Sequence, residues 1–196
     1  MSNESAKHFI HRLEAFSDIV IGFSLAQLGA ALIIPEHPIT LVENPSWLFG
    51  FLFAFAVVCS MWFFHHRLFS EFFVPKAWPV ILNFIWLAIV VLLVYSTQLY
   101  VRSFGDLTAA RMYFAAYMSA YGVLGVQYFI AGSNASRRAS MYMFLWTAPF
   151  LICLLASVFL APDAVNIVTP IAFAATTAAF FLLAKRYPRE SAESGS

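Results

Sequence analysis

Charged and polar side chains stand at the start of a long apolar run near the N-terminus. Arg12, Glu14, Ser17 and Asp18 lie within seven residues, and the run from 19 to 34 that follows contains no charged residue. A carboxylate at the edge of hydrocarbon is costly, so such a group is a candidate functional residue by default. The chemistry open to these side chains is to relay protons or to bond neighbouring helices together.

The composition indicates a polytopic membrane protein. Of the 196 residues, 62% are hydrophobic and 11% are charged, whereas a soluble domain carries about 25% charged residues. A net charge of +1 implies no strong attraction to nucleic acid. The first apolar run is too long for a cleaved signal peptide. Cys59 and Cys153 stand alone in apolar runs, so we interpret both as core residues.

Six apolar runs predict an all-α integral membrane protein with six transmembrane helices. We place these helices at about 9–34, 46–69, 78–101, 108–131, 140–161 and 164–184. The chain then divides into a short N-terminal segment (1–8), a six-helix membrane domain (9–186) and a polar, disordered tail (187–196). No internal repeat is visible, and the opening polar motif occurs once.

Six helices place both termini on one side of the membrane, and the positive charges select that side. Nine of the eleven Lys and Arg residues fall on the side of the termini: Lys7, Arg12, Arg67, Lys76, Arg137, Arg138, Lys185, Arg186 and Arg189. The other side holds Arg102 and Arg111. The positive-inside rule therefore predicts cytoplasmic termini.

Helix 1 has two different faces when its residues are placed 100° apart. One stripe holds Arg12, Phe16, Ile19, Phe23, Gln27, Ala30 and Ile34. Asp18 lies about 140° away, on the side of Glu14 and His11. Asp18 therefore needs a partner from another helix. The stripe itself fits either a pore lining or ordinary helix packing, and a second stripe of small residues (Gly22, Ala26 and Ala30) suits close helix approach.

Helix 2 offers partners for these groups at the same membrane end. Trp62 and His66 are four residues apart and share one helix face. A Trp N–H donates a hydrogen bond, and a neutral His both donates and accepts. A cluster of Arg12, Asp18, Trp62 and His66 could act as a structural lock or as a proton relay.

The motif Arg12-x-x-x-Phe16-Ser17-Asp18, followed by Trp62-x-x-x-His66, resembles the signature of the transmembrane protein 175 family. These proteins are potassium channels of endolysosomes and their prokaryotic relatives. The resemblance implies a homotetramer of six-helix units whose first helices line a pore without a carbonyl filter. It also implies that the signature residues hold helix 1 against helix 2, and that Phe23, Gln27 and Ala30, with Ile19 and Ile34 on their stripe, face the pore.

Three positions depart from the family pattern as it maps onto this chain. Ala26 stands where the family usually has a hydroxyl, Gln27 where it has a large aliphatic residue, and Phe23 where it has isoleucine or leucine. Four Phe23 rings would close a pore by steric fit and dewetting, while four Gln27 amides would bind a cation weakly. A ring of Arg12 side chains would repel cations, so we expect Arg12 to pair with Asp18 or helix 2. Without that pairing, anions become the better prediction.

The predicted function is a passive cation channel, with potassium as the permeant ion. Its partners are other copies of the chain, membrane lipid and monovalent cations, with no cofactor, metal or nucleic acid. The absence of nucleotide-loop, zincin and nucleophile motifs argues against an enzyme. The alternatives are a proton-coupled carrier or proton channel using Asp18, His66 and Glu14, a haem protein using His11 and His66, and a non-conducting relative.

Single polar residues occur inside the other predicted helices. They are Asn83, Gln98, Gln127 and Thr147. We expect each to form an interhelical hydrogen bond, because that is the usual role of an isolated polar group in a membrane helix.

Overall fold

The fold is all-helical over the part of the chain that the computed structural model describes, which is residues 3–30, 46–103 and 106–160 with ten positions between 164 and 178. Its five complete helices are α1 (Asn3–Ala30), α2 (Ser46–Glu71), α3 (Ala77–Arg102), α4 (Leu107–Ala131) and α5 (Asn134–Phe159). The ten positions from 164 to 178 are also helical and fall within the sixth predicted helix. The predictions for Ile34 and for the tail (187–196) lie outside the described residues.

Two helices begin six residues earlier than the sequence predicted. α1 begins at Asn3 rather than at residue 9, because Glu4, Ala6 and Lys7 are good helix formers although they are not apolar. α5 begins at Asn134 rather than at residue 140. The hydroxyl of Ser133 caps α5 by accepting a hydrogen bond from the Ser136 N–H at 3.0 Å.

α4 is bounded by a cap at each end. At its start, Asp106 Oδ1 accepts hydrogen bonds from the backbone N–H groups of Thr108 (2.6 Å) and Ala109 (3.0 Å). These bonds stabilise the carboxylate and lower the pKa of Asp106 below its usual value. At its end, Gly132 has a φ of 80°, a left-handed conformation that favours glycine.

Buried aromatic residues form the centre of the helix bundle. Tyr113, Tyr117, Tyr121 and Tyr128 of α4 are all buried. The Tyr117 ring stacks on Phe150 of α5 at 4.8 Å, and the N–H of Trp86 on α3 donates to the Ala120 carbonyl at 3.0 Å. Among the complete helices, α1 packs mainly on α2 and α3, so it lies at the edge of this core.

Several of these helices are long enough to cross a membrane. Four described helices are long and apolar enough to cross a membrane: Glu4–Ala30, Ala77–Arg102, Leu107–Ala131 and Asn134–Phe159. The prediction of an all-helical, multi-pass membrane protein is therefore confirmed. Connections between 71 and 77, and between 131 and 134, are short, so α2, α3, α4 and α5 are joined at alternating ends.

Candidate functional site

The two faces of α1 have different surroundings. Leu13, Ser17, Ile21, Ser24 and Leu28 are buried, at the i, i+4 and i+3 spacing of one helix face. On the other face Ile19 is 65% exposed and Phe23 is 72% exposed. Arg12, Gln27 and Ala30 are exposed as well. The stripe that the helical spacing identified is thus the face of α1 that the described part of the chain leaves uncovered.

Asp18 meets Trp62 across the contact between α1 and α2. The indole N–H of Trp62 donates to Asp18 Oδ1 at 2.8 Å. An indole donates but does not accept hydrogen bonds, so Asp18 is the acceptor in this contact. This hydrogen bond therefore joins one residue of the α1 motif to one residue of the α2 motif.

The second residue of the α2 motif contacts Glu14, one turn before Asp18. His66 Nδ1 lies 2.9 Å from Glu14 Oε1, and the His66 ring stacks on Trp62 with centroids 5.7 Å apart. The carboxylate oxygen is buried and has no donor aligned with it for a hydrogen bond. The contact is therefore an attraction between charges when the imidazole is protonated, rather than an aligned hydrogen bond.

A buried chain of hydrogen bonds lies behind this surface pair and joins three helices. Ser17 Oγ donates to the Leu13 carbonyl at 2.8 Å, and the Asn83 amide donates from Nδ2 to Ser17 Oγ at 3.1 Å. Asn83 Oδ1 lies 2.8 Å from His65 Nε2. Ser17, Asn83 and His65 are fully buried, so this chain bonds α1, α2 and α3 together inside the bundle.

The direction of these bonds determines the form of His65. Because the Asn83 nitrogen donates to Ser17, its oxygen must accept, and His65 Nε2 must carry the proton. The other ring nitrogen, Nδ1, has no partner in the described part of the chain. The ring is held instead by stacking on Trp86 at 4.4 Å and by contact with Phe69 at 4.7 Å.

No role for His65 was predicted from the sequence, and Asn83 stood out there only as a single polar group. The available signal was the adjacent pair of histidines, because neighbours on a helix are turned by 100° and only one can face inward. The expected interhelical bond of Asn83 is present. Gln98 also bonds between helices, donating from Nε2 to the Gln27 backbone carbonyl at 3.1 Å.

Two of the predicted interhelical bonds are absent from the described residues. Thr147 bonds within its own helix, to the carbonyls of Met143 and Phe144. Gln127 is buried, and no described residue bonds to its amide nitrogen or its amide oxygen. The expectation is wrong for Thr147, since its hydroxyl satisfies its own helix.

Arg12 does not make the predicted pairing with Asp18. Asp18 is bound by Trp62 instead. The Arg12 side chain is exposed, and within the described ranges no carboxylate forms an ion pair with it. Phe16 is also exposed, with its ring 6.0 Å from Phe84 of α3. Of the six signature residues, Ser17, Asp18, Trp62 and His66 are therefore the ones that bond α1 to its neighbours.

The small residues of α1 do not pack against the other described helices. A Cβ atom placed on Gly22 would meet nothing within 4 Å, and Ala26 and Ala30 are exposed. The glycine is thus not required by a contact with α2 or α3. No group of three His, Cys, Asp or Glu residues that could hold a metal ion occurs among the described residues.

Fold and composition together define a multi-pass helical membrane protein whose first helix is bonded on one face and uncovered on the other. Residues 12–94 match the model of the family described as "Endosomal/lysosomal potassium channel TMEM175", which supports the resemblance predicted from the two motifs over that part of the chain. No curated protein matches the chain.

Solved structures show the same fold over nearly the whole chain. A crystal structure of a lysosomal potassium-selective channel TMEM175 homolog from Chamaesiphon minutus has a TM-score of 0.73 at 21% identity, covering 90% of this chain and 97% of that one. A variant of the potassium channel MtTMEM175, bound to a nanobody fusion protein, has a TM-score of 0.65 at 16% identity and covers 89% and 93%. The family and both structures are named as channels rather than enzymes, as predicted for this chain.

Proposed function

We propose that the protein is a potassium-conducting cation channel formed by four copies of this chain, with α1 of each copy lining a central pore. Both termini lie in the cytoplasm of a bacterial-type cell membrane in this proposal. The family match and the channels of the same fold support conduction of potassium. We give them more weight than Arg12, which has no ion pair among the described residues and by itself favours anions. The distribution of Lys and Arg supports the orientation.

The observation that carries the proposal is the uncovered face of α1. Phe23 is 72% exposed at the middle of this helix, and Gln27, one turn further, is exposed on the same face. An amide that faced hydrocarbon would leave its donors and acceptor unpaired at considerable cost. The face therefore fits a surface that meets water and other copies of α1 better than one that meets lipid.

Within this pore Phe23 forms the constriction. Ile19, Phe23 and Gln27 follow one another by one turn, or about 6 Å along the axis. Bulky apolar rings gate a pore by steric closure and dewetting, and Ile19 continues the apolar wall towards the cytoplasmic mouth. Gln27 places four amides on the outer side of the ring, where their oxygens meet a cation that has passed the constriction.

The bonded face of α1 determines where the constriction stands. Ser17 and Asp18 hold α1 to α3 and α2, one to two turns before Phe23. These bonds restrict rotation of α1 about its axis, which would otherwise turn Phe23 away from the pore. The signature residues thus act on the ion path through the position of the helix, without contact with the ion.

The proton-carrier alternative has one observation in its favour, the 2.9 Å contact between Glu14 and His66. Against it, Asp18 bonds to Trp62, whose indole N–H is a donor only and does not pass a proton on. If protons are carried, flux depends on pH with a midpoint near that of histidine, and His66→Gln abolishes that dependence. A potassium flux with no such midpoint excludes this alternative.

The deciding experiment is potassium flux from liposomes that contain the purified protein, with sodium and caesium measured in parallel. Phe23→Ala is expected to raise the flux several-fold, because a ring of methyl groups neither closes nor dewets the pore. Gln27→Leu is expected to change the ratio between ions. Phe63→Ala is the matched control, because Phe63 is 56% exposed on α2, away from the proposed pore.

Two results would contradict the proposal. If no ion passes through the wild-type protein or the Phe23→Ala variant, α1 does not line a conducting pore. If Phe63→Ala raises the flux as much as Phe23→Ala, the effect comes from general loosening of the bundle rather than from a constriction. Crosslinking in the liposomes checks the number of copies.

A further inference from the structure

A cavity of about 290 Å³ lies at the end of the bundle that holds the start of α1. Its walls come from the connection between α2 and α3, from the first turn of α3 and from the last turns of α4. The volume is near the lower limit of small-molecule pockets, about 300 Å³, and about ten times the volume that one water molecule occupies in the liquid. None of the residues of the proposed pore lines it.

Gln127 of α4 supplies the observation that points to a ligand. Its side chain lines this cavity and is 4% exposed, yet no described residue bonds to its amide nitrogen or its amide oxygen. Buried polar groups in proteins are almost always hydrogen-bonded, because an unmade bond is costly. Asn83 and Ser140, which are buried elsewhere in the bundle, are both satisfied.

The walls of the cavity limit what this partner can be. Leu68, Phe72 and Ile130 give the cavity an apolar lining, and a cavity with apolar walls does not hold a chain of water molecules well. The occupant therefore needs an apolar body together with one group that accepts or donates a hydrogen bond at Gln127. Inorganic ions and small polar metabolites do not meet this requirement.

The positive charge of Lys76 at the rim indicates that the outer end of the occupant is negatively charged. Lys76 lies in the connection before α3 and lines the cavity, as does Trp78 at the first turn of α3. Gln127 lies four residues before the end of α4 at Ala131, which is about 6 Å deeper along the helix axis. The cavity thus offers a cation at its rim, an amide about one helical turn deeper, and apolar walls around them.

We propose that this cavity binds one anionic glycerophospholipid. The phosphate of such a lipid lies outermost and meets Lys76, and its ester and glycerol oxygens lie below and accept from the Gln127 amide. The first carbons of an acyl chain lie against the apolar walls, and the rest of the lipid lies outside the cavity. A fatty acid lacks polar groups beneath its charge, and free phosphate lacks the apolar body. The proposal goes beyond the proposed conduction and does not depend on it.

Native mass spectrometry of the detergent-solubilised protein tests the site, with phosphatidylglycerol and phosphatidylcholine as probes. The wild-type protein is expected to bind its first phosphatidylglycerol more tightly than its first phosphatidylcholine. Lys76→Gln should weaken the first phosphatidylglycerol about fivefold and remove the preference. Ala131→Phe, which fills the cavity, should abolish the first binding step for both lipids. Lys7→Gln is the control, because Lys7 is exposed on α1.

Thermal stability separates a lipid-binding amide from a merely structural one. Gln127→Leu should melt at a higher temperature than wild type in lipid-free detergent, since it removes an unpartnered buried amide. Added phosphatidylglycerol should raise the melting temperature of wild type but not of this variant. The proposal is overturned if Ala131→Phe and Gln127→Leu bind the first phosphatidylglycerol as wild type does. It is also overturned if Gln127→Leu melts lower by the same amount with and without lipid, because Gln127 is then satisfied by water alone.

Discussion

The two faces of α1 differ in the kind of interaction that each can make. The face that contacts α2 and α3 carries Ser17, which bonds to Asn83, and beside it Asp18, which bonds to Trp62. The opposite face carries Phe23 and Gln27, which contact little of their own chain. In a membrane, apolar side chains gain little by leaving lipid, so hydrogen bonds rather than hydrophobicity decide which face of this helix turns inward.

Replacing Asn83, whose amide lies in the middle of the buried hydrogen-bond chain, should have the largest effect on the bonded face of α1. Asn83→Leu removes the acceptor of His65 Nε2–H and the donor to Ser17 Oγ. A buried unmade bond costs about 1–3 kcal/mol. We expect a loss of about 2 kcal/mol in the free energy of unfolding, measured by thermal melting in detergent. Asn83→Asp keeps an acceptor for His65 and should lose less. Equal melting temperatures for Asn83→Leu and wild type would contradict a stabilising role for this chain of hydrogen bonds.

Truncating one isoleucine on each face gives a matched comparison. Ile21 is buried and Ile19 is exposed on the same helix, two residues apart. Ile21→Ala should cost about 1–2 kcal/mol, because it leaves a gap between α1 and its neighbours. Ile19→Ala should leave the stability of the single chain unchanged. If Ile19→Ala destabilises the protein as much, the uncovered face is buried in the assembly rather than exposed to the ion path.

Removing the surface bond should have a smaller effect. Trp62→Phe retains an aromatic ring that can stack on His66 but lacks the N–H that donates to Asp18. A single hydrogen bond to a charged group contributes about 1.5 kcal/mol or more when it is buried, and this one is exposed, so we expect about 1 kcal/mol. A double-mutant cycle with Asp18→Asn measures the coupling. A coupling energy near zero would mean that the two side chains act independently.

The smallest predicted effect concerns Arg12, which lies on the uncovered stripe without a pairing partner in the described ranges. Four arginines near the mouth of a pore repel cations, and salt screens that repulsion. Arg12→Gln should therefore raise potassium flux about twofold at low ionic strength and have no effect in high salt. A chloride flux through the wild-type protein that is lost in this variant would instead favour an anion path.

The sequence analysis predicted those parts of the site that depend on spacing along one helix. Trp62 and His66 share a face because they are four residues apart, and both meet the acidic side of α1. The bond between His65 and Asn83 was not predicted, because it depends on the rotation of α2 relative to α3. Arg12 was expected to pair with Asp18 or with α2. Trp62 occupies the Asp18 carboxylate instead, and no carboxylate of the described residues pairs with Arg12.

Composition and periodicity alone determined the membrane class, the order of the helices and the stripe of α1 that carries Phe23 and Gln27. These properties follow from side-chain polarity at fixed helical spacing, which is local along the chain. Only the tertiary structure decided which face of α1 is bonded and that Gln127 lines a cavity without a partner. Both depend on how three helices are rotated against one another, and that rotation is set by contacts between residues far apart in the sequence.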